Sequence, residues 1–100
     1  MITFDKIRQW GKNKGLTGKK GKATIEGQLK KLEEEFFELK RAIALDDQAE
    51  IIDGIGDMVV VLTLLAQLRK TSIECCVFCA YGEIANRTGK MVNGVFVKDK

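Results

Sequence analysis

Eight of the chain's fourteen carboxylates fall between Glu34 and Asp57, among strong helix formers. Read as two helices joined near Leu45-Asp46-Asp47, the stretch puts Glu34, Glu35 and Glu38 on one helix and Glu50, Asp53 and Asp57 on the next. At 3.6 residues per turn the first trio spans about 100° and the second about 60°, so each helix carries a carboxylate face. Two such faces opposed across a helix pair repel strongly. Unit charges about 4 Å apart cost roughly 4 kcal/mol at an effective dielectric of about 20. A divalent cation removes that cost, and carboxylates with no histidine or thiol beside them suit a hard ion, Mg²⁺ or Mn²⁺, rather than Zn²⁺. The competing reading is a solvated face, because exposed like charges on a helix cost only a few tenths of a kcal/mol.

Positioning these acids requires long helices, and the pattern supplies them. Thr3 is placed to cap a helix over about 4–14 with Phe4, Ile7 and Trp10 on one face, and Gly15 to end it. Thr24 opens a second helix over about 24–45, in which Ile25, Leu29, Leu32, Phe36, Leu39 and Ile43 form a core-facing stripe flanked by Glu35. The acids would then stand exposed in a lone helix pair and need a third element or a second chain to enclose them. A third helix over about 47–68 is apolar on nearly every side from Met58 onward, although Met58-Val-Val-Val-Leu by itself would also suit a buried strand. An all-round apolar helix must be covered all round, which in a chain of 100 residues points to a second copy, as a homodimer or a dimer of dimers. Gly54 and Gly56 weaken this helix by about 1 kcal/mol each relative to alanine, so packing or the site is expected to require them.

Thr71-Ser72-Ile73-Glu74 reads as a capping box for a fourth helix over about 72–88, stopped by Gly89. Asn93-Gly94 between apolar residues predicts a tight hairpin in the tail. The fold expected is all-α, one domain over 1–100: an antiparallel bundle of about four helices, completed by dimerisation, with a short C-terminal extended or hairpin tail.

Composition narrows the class. Apolar residues make up 45% of the chain, charged residues 31%, and proline is absent, as in a globular protein with uninterrupted helices. The run Met58 to Ala66 is about half of what crosses a bilayer, and charge follows the first residues at once without a signal-peptide pattern, so a cytoplasmic protein with no membrane partner is expected. Cys75, Cys76 and Cys79 could form a redox or metal pair, but an odd count with no histidine favours small buried hydrophobes in a reducing compartment. Net charge is +6 over 1–22, −6 over 23–57 and +3 over 58–100. A metal-bound polyphosphate suits that order better than a nucleic acid, which the acidic centre would repel.

The basic ends offer candidates for substrate contact. The loop Gly15 to Lys22 has the composition of a mobile phosphate-binding lid without the spacing of a nucleotide-binding loop. Trp10 is either a core anchor or a stacking surface for a base. Asn86, Arg87 and Lys90 either offset a helix dipole or meet phosphate.

Glu34-Glu35-Phe36-Phe37-Glu38, followed by Asp53-Gly-Ile-Gly-Asp57 and an apolar run, resembles the MazG-like all-α nucleoside triphosphate pyrophosphohydrolases, whose signature is Glu-Glu-x-x-Glu, a spacer, then Glu-x-x-Asp. The likeness is to their compact phage- and prophage-type members. Arg8 to Gly15 and Tyr81 to Lys98 look similar as well, so nearly the whole chain is covered. The resemblance implies Mg²⁺-dependent hydrolysis between the α and β phosphates of a nucleoside triphosphate. Carried over by position, Glu34, Glu35, Glu38 and Asp57 are metal ligands. The sequence departs at Gly54, where the motif expects glutamate, and Asp53 on the same face as Asp57 is the substitute, with Glu50 in reserve. Glu35 and Glu38 are the candidates to orient or deprotonate water. Arg87, Lys90 and Lys14 would meet the phosphate chain, Trp10 the base, and Asn86 phosphate, sugar or base. Two other classes fit parts of the pattern: a MazG-like module that binds nucleotide or a protein without turnover, which Gly54 makes conceivable, and a nucleic-acid-associated helical domain using the basic ends.

Overall fold

The computed structural model describes residues 4–100, so the cap expected at Thr3 lies outside the described residues. Four helices are followed by a hairpin: α1 (Phe4–Asn13), α2 (Ile25–Ala44), α3 (Gln48–Leu68), α4 (Ile73–Ile84), β1 (Gly89–Val92) and β2 (Val95–Lys98). The chain is thus all-α with a small antiparallel appendage. The Thr24 hydroxyl accepts from Gly27 N at 2.9 Å to open α2, and the Asp47 carboxylate accepts from Glu50 N at 3.3 Å to open α3. Asp46, at φ 52°, makes the sharp reversal between them.

The α2–α3 hairpin is the centre of the molecule, and α1 lies across α3. Gly11 is why α1 comes so close: a Cβ there would overlap Leu64 Cδ2. The buried apolar set is small, namely Ala42, Val61, Leu64 and Ala66. Thr63 is wholly buried, its hydroxyl donating to Val59 O at 2.7 Å.

The buried face of α2 is not the predicted stripe. Gln28, Glu35 and Ala42 face α3, flanked by half-buried Leu32 and Leu39, while Leu29, Phe36 and Ile43 are exposed. Both faces recur at steps of three and four, and periodicity does not say which of two adjacent stripes the neighbouring helix takes. Glu35 is therefore enclosed within one chain, contrary to the expectation that the acids would need a further element.

The loop Gly15 to Lys22 is likewise closed rather than loose. Leu16 N donates to Gly11 O at 2.8 Å, Lys22 N to Gly15 O at 2.9 Å and Ala23 N to Leu16 O at 3.0 Å.

The fourth helix ends at Ile84 instead of continuing to residue 88, and Gly89 is the first residue of β1. Thr88 joins the hairpin instead: its hydroxyl donates to Asp99 Oδ2 at 2.8 Å and its carbonyl accepts from Asp99 N at 2.9 Å. Gly89 pairs with Lys98, and a Cβ at Gly89 would overlap the Val97 carbonyl oxygen. Asn93 and Gly94, both at positive φ, form the expected turn. The capping box is also corrected. Ser72 alone caps α4, accepting from Cys75 N at 3.1 Å, and Glu74 turns to Arg8.

That Arg8–Glu74 pair, with two bonds of 2.8 Å, ties the root of α4 to α1. Beyond it, α4 and the hairpin form an arm with every residue from Glu74 onward exposed. The three cysteines lie there, so within one chain they are exposed, and the Cys79 thiol is pushed up chiefly by Cys75. The chain's accessible area is 8140 Å², against roughly 5,700 Å² for a compact monomer of its mass. Its radius of gyration is 16.0 Å where about 13 Å is usual.

Candidate active site

The acidic faces meet across the α2–α3 seam. Antiparallel pairing sets Asp57 against Glu35 and Gly54 against Leu39, and brings Glu50 to the rim of a shallow pocket shared with Glu38 and Ala42. Asp57 is held above the usual carboxyl range, first by burial and then by the negative charges of Asp53 and Glu35. Glu35 is 6% exposed, and its Oε2 has no hydrogen-bond partner. Its Oε1 receives the Lys31 ammonium at 3.2 Å, and Glu34 Oε2 lies 3.9 Å from the same nitrogen. That pairing raises the Lys31 pKa, mainly through the hydrogen bond to Glu35.

These acids border an open cleft of about 640 Å³ whose lining includes Glu34, Glu35, Asp57, Trp10, Lys22, Lys30 and Lys31. Trp10 is 47% exposed in the single chain, and with Asp57 it also lines a smaller recess beside the cleft. Glu38 and Glu50 lie apart from it, in the shallow pocket of about 290 Å³ with Arg41. Lys14 follows the end of α1 outside the cleft lining, and Asn86, Arg87 and Lys90 are on the arm, away from the carboxylates of their own chain.

Among the described residues no three carboxylates are already converged as a finished cation cage. The donor set nonetheless fits a hard cation. A buried carboxylate oxygen lacks a partner, its neighbour Asp57 resists ionisation, and a lysine ammonium occupies the position of positive charge. Charge is sorted within the cleft, with acids on the seam, Lys30 and Lys31 on the α2 flank and Lys22 on the preceding loop, an order that would suit a metal-bound phosphate chain.

Sequence reasoning missed Lys30, Lys31 and the buried Gln28 in this cleft, whereas Lys22 belongs to the loop read as a phosphate-binding lid. For Lys31 a signal existed, since it precedes Glu34 and Glu35 by three and four residues.

The profile of the MazG nucleotide pyrophosphohydrolase domain matches residues 23–80, from the cap of α2 through most of α4. The chain belongs to that family. No curated protein and no solved structure matches it. The matched span of this MazG domain holds every carboxylate of the seam but not Trp10 or the residues at the tip of the arm. Gly54, where the family motif has glutamate, is buried against α2: a Cβ there would meet Leu39 Cδ1 at 3.3 Å, Cβ at 3.4 Å and Cα at 3.5 Å. In this MazG domain the position lies closely against α2.

Proposed function

We propose that the protein hydrolyses nucleoside or deoxynucleoside triphosphates to the monophosphate and pyrophosphate, in the cytoplasm. The observation that carries this reading is the opposition of Asp57 to Glu35, with Asp53 near Asp57 on the same helix, at a cleft that also presents three lysines and an exposed tryptophan. MazG domains typically depend on a divalent metal. Glu34, Glu35, Asp53 and Asp57 would hold Mg²⁺, or Mn²⁺ in its place, with Glu38 one turn further along the seam. The ion, when bound, supplies charge neutralisation at the phosphates and lowers the pKa of water.

The chain's own residues account for the rest. Trp10 offers a face on which a base stacks, and Lys22 and Lys30 flank the path of the phosphates. Glu35, which borders the cleft, takes the proton of the attacking water as the water oxygen bonds to the α phosphorus; Glu38, the other candidate, lines the neighbouring shallow pocket. The bond to the bridging oxygen breaks and pyrophosphate leaves.

The exposed arm supports a homodimer, or a tetramer built from it. The surplus of roughly 2,400 Å² per chain has the scale of an obligate interface. Val77, Phe78, Tyr81 and Ile84 on α4, and Met91, Val95 and Phe96 on the hairpin, are large apolar side chains left in water. Asn86, Arg87 and Lys90 retain their proposed substrate contacts if assembly brings an arm over a cleft, while Lys14, at the end of α1, would have to be reached by the phosphate chain itself. α3 is long and apolar enough to match a membrane span by length and composition, with mean hydropathy 1.8. Its packing on α1 and α2, and Asp53 and Asp57 along it, favour a core helix.

The test is incubation of the purified protein with a panel of NTPs and dNTPs, with Mg²⁺ and with chelator, and separation of products. Monophosphate and pyrophosphate, lost on chelation, are expected. Diphosphate with orthophosphate would refute the mechanism, and tight nucleotide binding without turnover would leave a non-catalytic module.

A further inference from the structure

We propose a second ligand site, on the opposite side of α1 from the carboxylate cleft, for a small phosphate monoester that also bears a hydroxyl group. The site is a pocket of about 860 Å³ between α1 and the glycine loop, lined by Lys12, Lys19 and Lys20, with Arg8 on the same helix as Lys12. Lys12, Lys19 and Lys20 make no ion pair among the described residues. The one acid in the lining, Asp5, is engaged by Arg8 at 2.6 Å, and Arg8 is in turn held by Glu74. Net positive potential is therefore uncancelled within the pocket, and an anion is what it would concentrate.

Two further features specify more than charge. Thr17 lines the pocket, is only 7% exposed, and its Oγ1 has no hydrogen-bond partner. Gln67, reaching in from α3, also has a buried Oε1 without a partner. A buried hydroxyl and a buried amide left unmatched are unfavourable unless something supplies the missing bonds. The hydroxyl can donate to a phosphate oxygen, and the amide carbonyl can accept from a ligand O–H. Inorganic phosphate offers acceptor oxygens and a P–OH that can donate in turn, whereas a sugar phosphate carries further hydroxyls on its carbon frame, away from the phosphate, and can meet the two atoms separately.

The pocket is also built in advance. The backbone bonds that close the loop hold its lysine-bearing turn, with Gly15 and Gly18 at φ 80° and 86°. A Cβ at Gly18 would touch Lys12 Cγ at 3.4 Å, so the loop lies on the stem of that lysine. The same loop contributes Leu16 and Lys22 to the carboxylate cleft. The second site itself contains no carboxylate pair and performs no hydrolysis.

The experiment is titration of the full chain in chelator with ribose 5-phosphate, ribose and inorganic phosphate, followed by calorimetry and by amide chemical shifts. Chelator silences metal-dependent binding in the cleft, so this outcome is independent of the hydrolytic reading. Expected are saturable binding of ribose 5-phosphate below about 1 mM, weaker binding of phosphate, and shifts at Thr17, Lys19 and Gln67. Lys19→Ala with Lys20→Ala should weaken it roughly tenfold or more, and Thr17→Val about fivefold, while Glu35→Gln leaves it unchanged. Because the lysines are exposed, their double variant tests the site even if Thr17→Val misfolds. No saturation by about 10 mM, binding unaltered in the lysine double variant, or binding abolished by Glu35→Gln would each overturn the proposal. Equal affinity for phosphate and ribose 5-phosphate would overturn the assignment of a hydroxyl-bearing ligand.

Discussion

Replacing Gly54 by glutamate restores the letter that the paired motif expects three residues before Asp57, and the packing says the protein is harmed by it. The added Cβ meets Leu39 at 3.3–3.5 Å: the tightest contact is with the Cδ1 tip, and those with its Cβ and Cα are ordinary van der Waals contacts that leave little room for a longer side chain. The remaining four heavy atoms must then pass between the helices. Overpacking of this kind costs about 1–3 kcal/mol, and a carboxyl group confined beside Asp53 and Asp57 adds about 1–3 kcal/mol. Exchange of glycine for a better helix former returns about 1 kcal/mol. The net loss is about 1–5 kcal/mol, against the roughly 5–15 kcal/mol available. For a domain of this size the middle of that range lowers Tm by about 10 °C or more. Thermal unfolding followed by circular dichroism, in chelator and at fixed protein concentration, measures it. Gly54→Ala is the control: its propensity gain and its push on Leu39 nearly cancel, so its Tm should stay within a few degrees of the parent. A Gly54→Glu variant as stable as the parent, with faster nucleotide turnover, would refute the packing role and return the position to the metal site.

Asp57→Asn should cut metal-dependent turnover by about a hundredfold or more while raising the stability of the metal-free protein, because it removes a charge that Glu35 and Asp53 oppose. The parent binds the Asp57 proton more tightly folded than unfolded. Its stability therefore falls as pH rises from the ordinary value of 3.8 through the raised folded value, and the variant should lack that slope in acid-range denaturation. Glu74 has the opposite sign: Arg8 holds it down to about 2, so its contribution is present above 4.5 and lost as pH falls toward 2, where the arm's root should loosen in hydrogen exchange. Phe78→Asp should dissociate the assembly. Phe78 is 79% exposed, and covering about 160 Å² of ring contributes about 4 kcal/mol per copy, so sedimentation should show a dissociation constant raised at least about a thousandfold. A parent that is monomeric at all concentrations would refute the dimer.

The helices and the carboxylate faces are legible in the sequence because both are local. Thr24, Asn93-Gly94 and the three-and-four spacing each act within a few residues, and each predicts its element. What the sequence hides is the choice between equivalents. α2 has two apolar-compatible faces, and the one with Glu35 and Gln28 is buried because α3 packs there. The end of α4 departs from expectation because Thr88 finds its partner in Asp99, eleven residues away, rather than in the helix. Gly54 reads in the sequence as a missing ligand, although only its contact with Leu39 explains it. The placement of Lys19 and Lys20 on one side of α1 and Lys22 on the other depends on how the loop closes, which composition does not encode.

The α2–α3 hairpin brings Glu35 and Asp57 together across a connection of only three residues, Leu45-Asp46-Asp47. A hairpin closed by so short a connection costs little loop-closure entropy, so it is expected to form before α1 docks or an arm finds another chain. The electrostatic repulsion along the seam is therefore already present at the folding barrier. Added salt or a divalent ion should act as a folding accelerant, raising the refolding rate in a kinetic experiment while leaving the unfolding rate nearly constant. The acids that would make the protein an enzyme also set how quickly it becomes one.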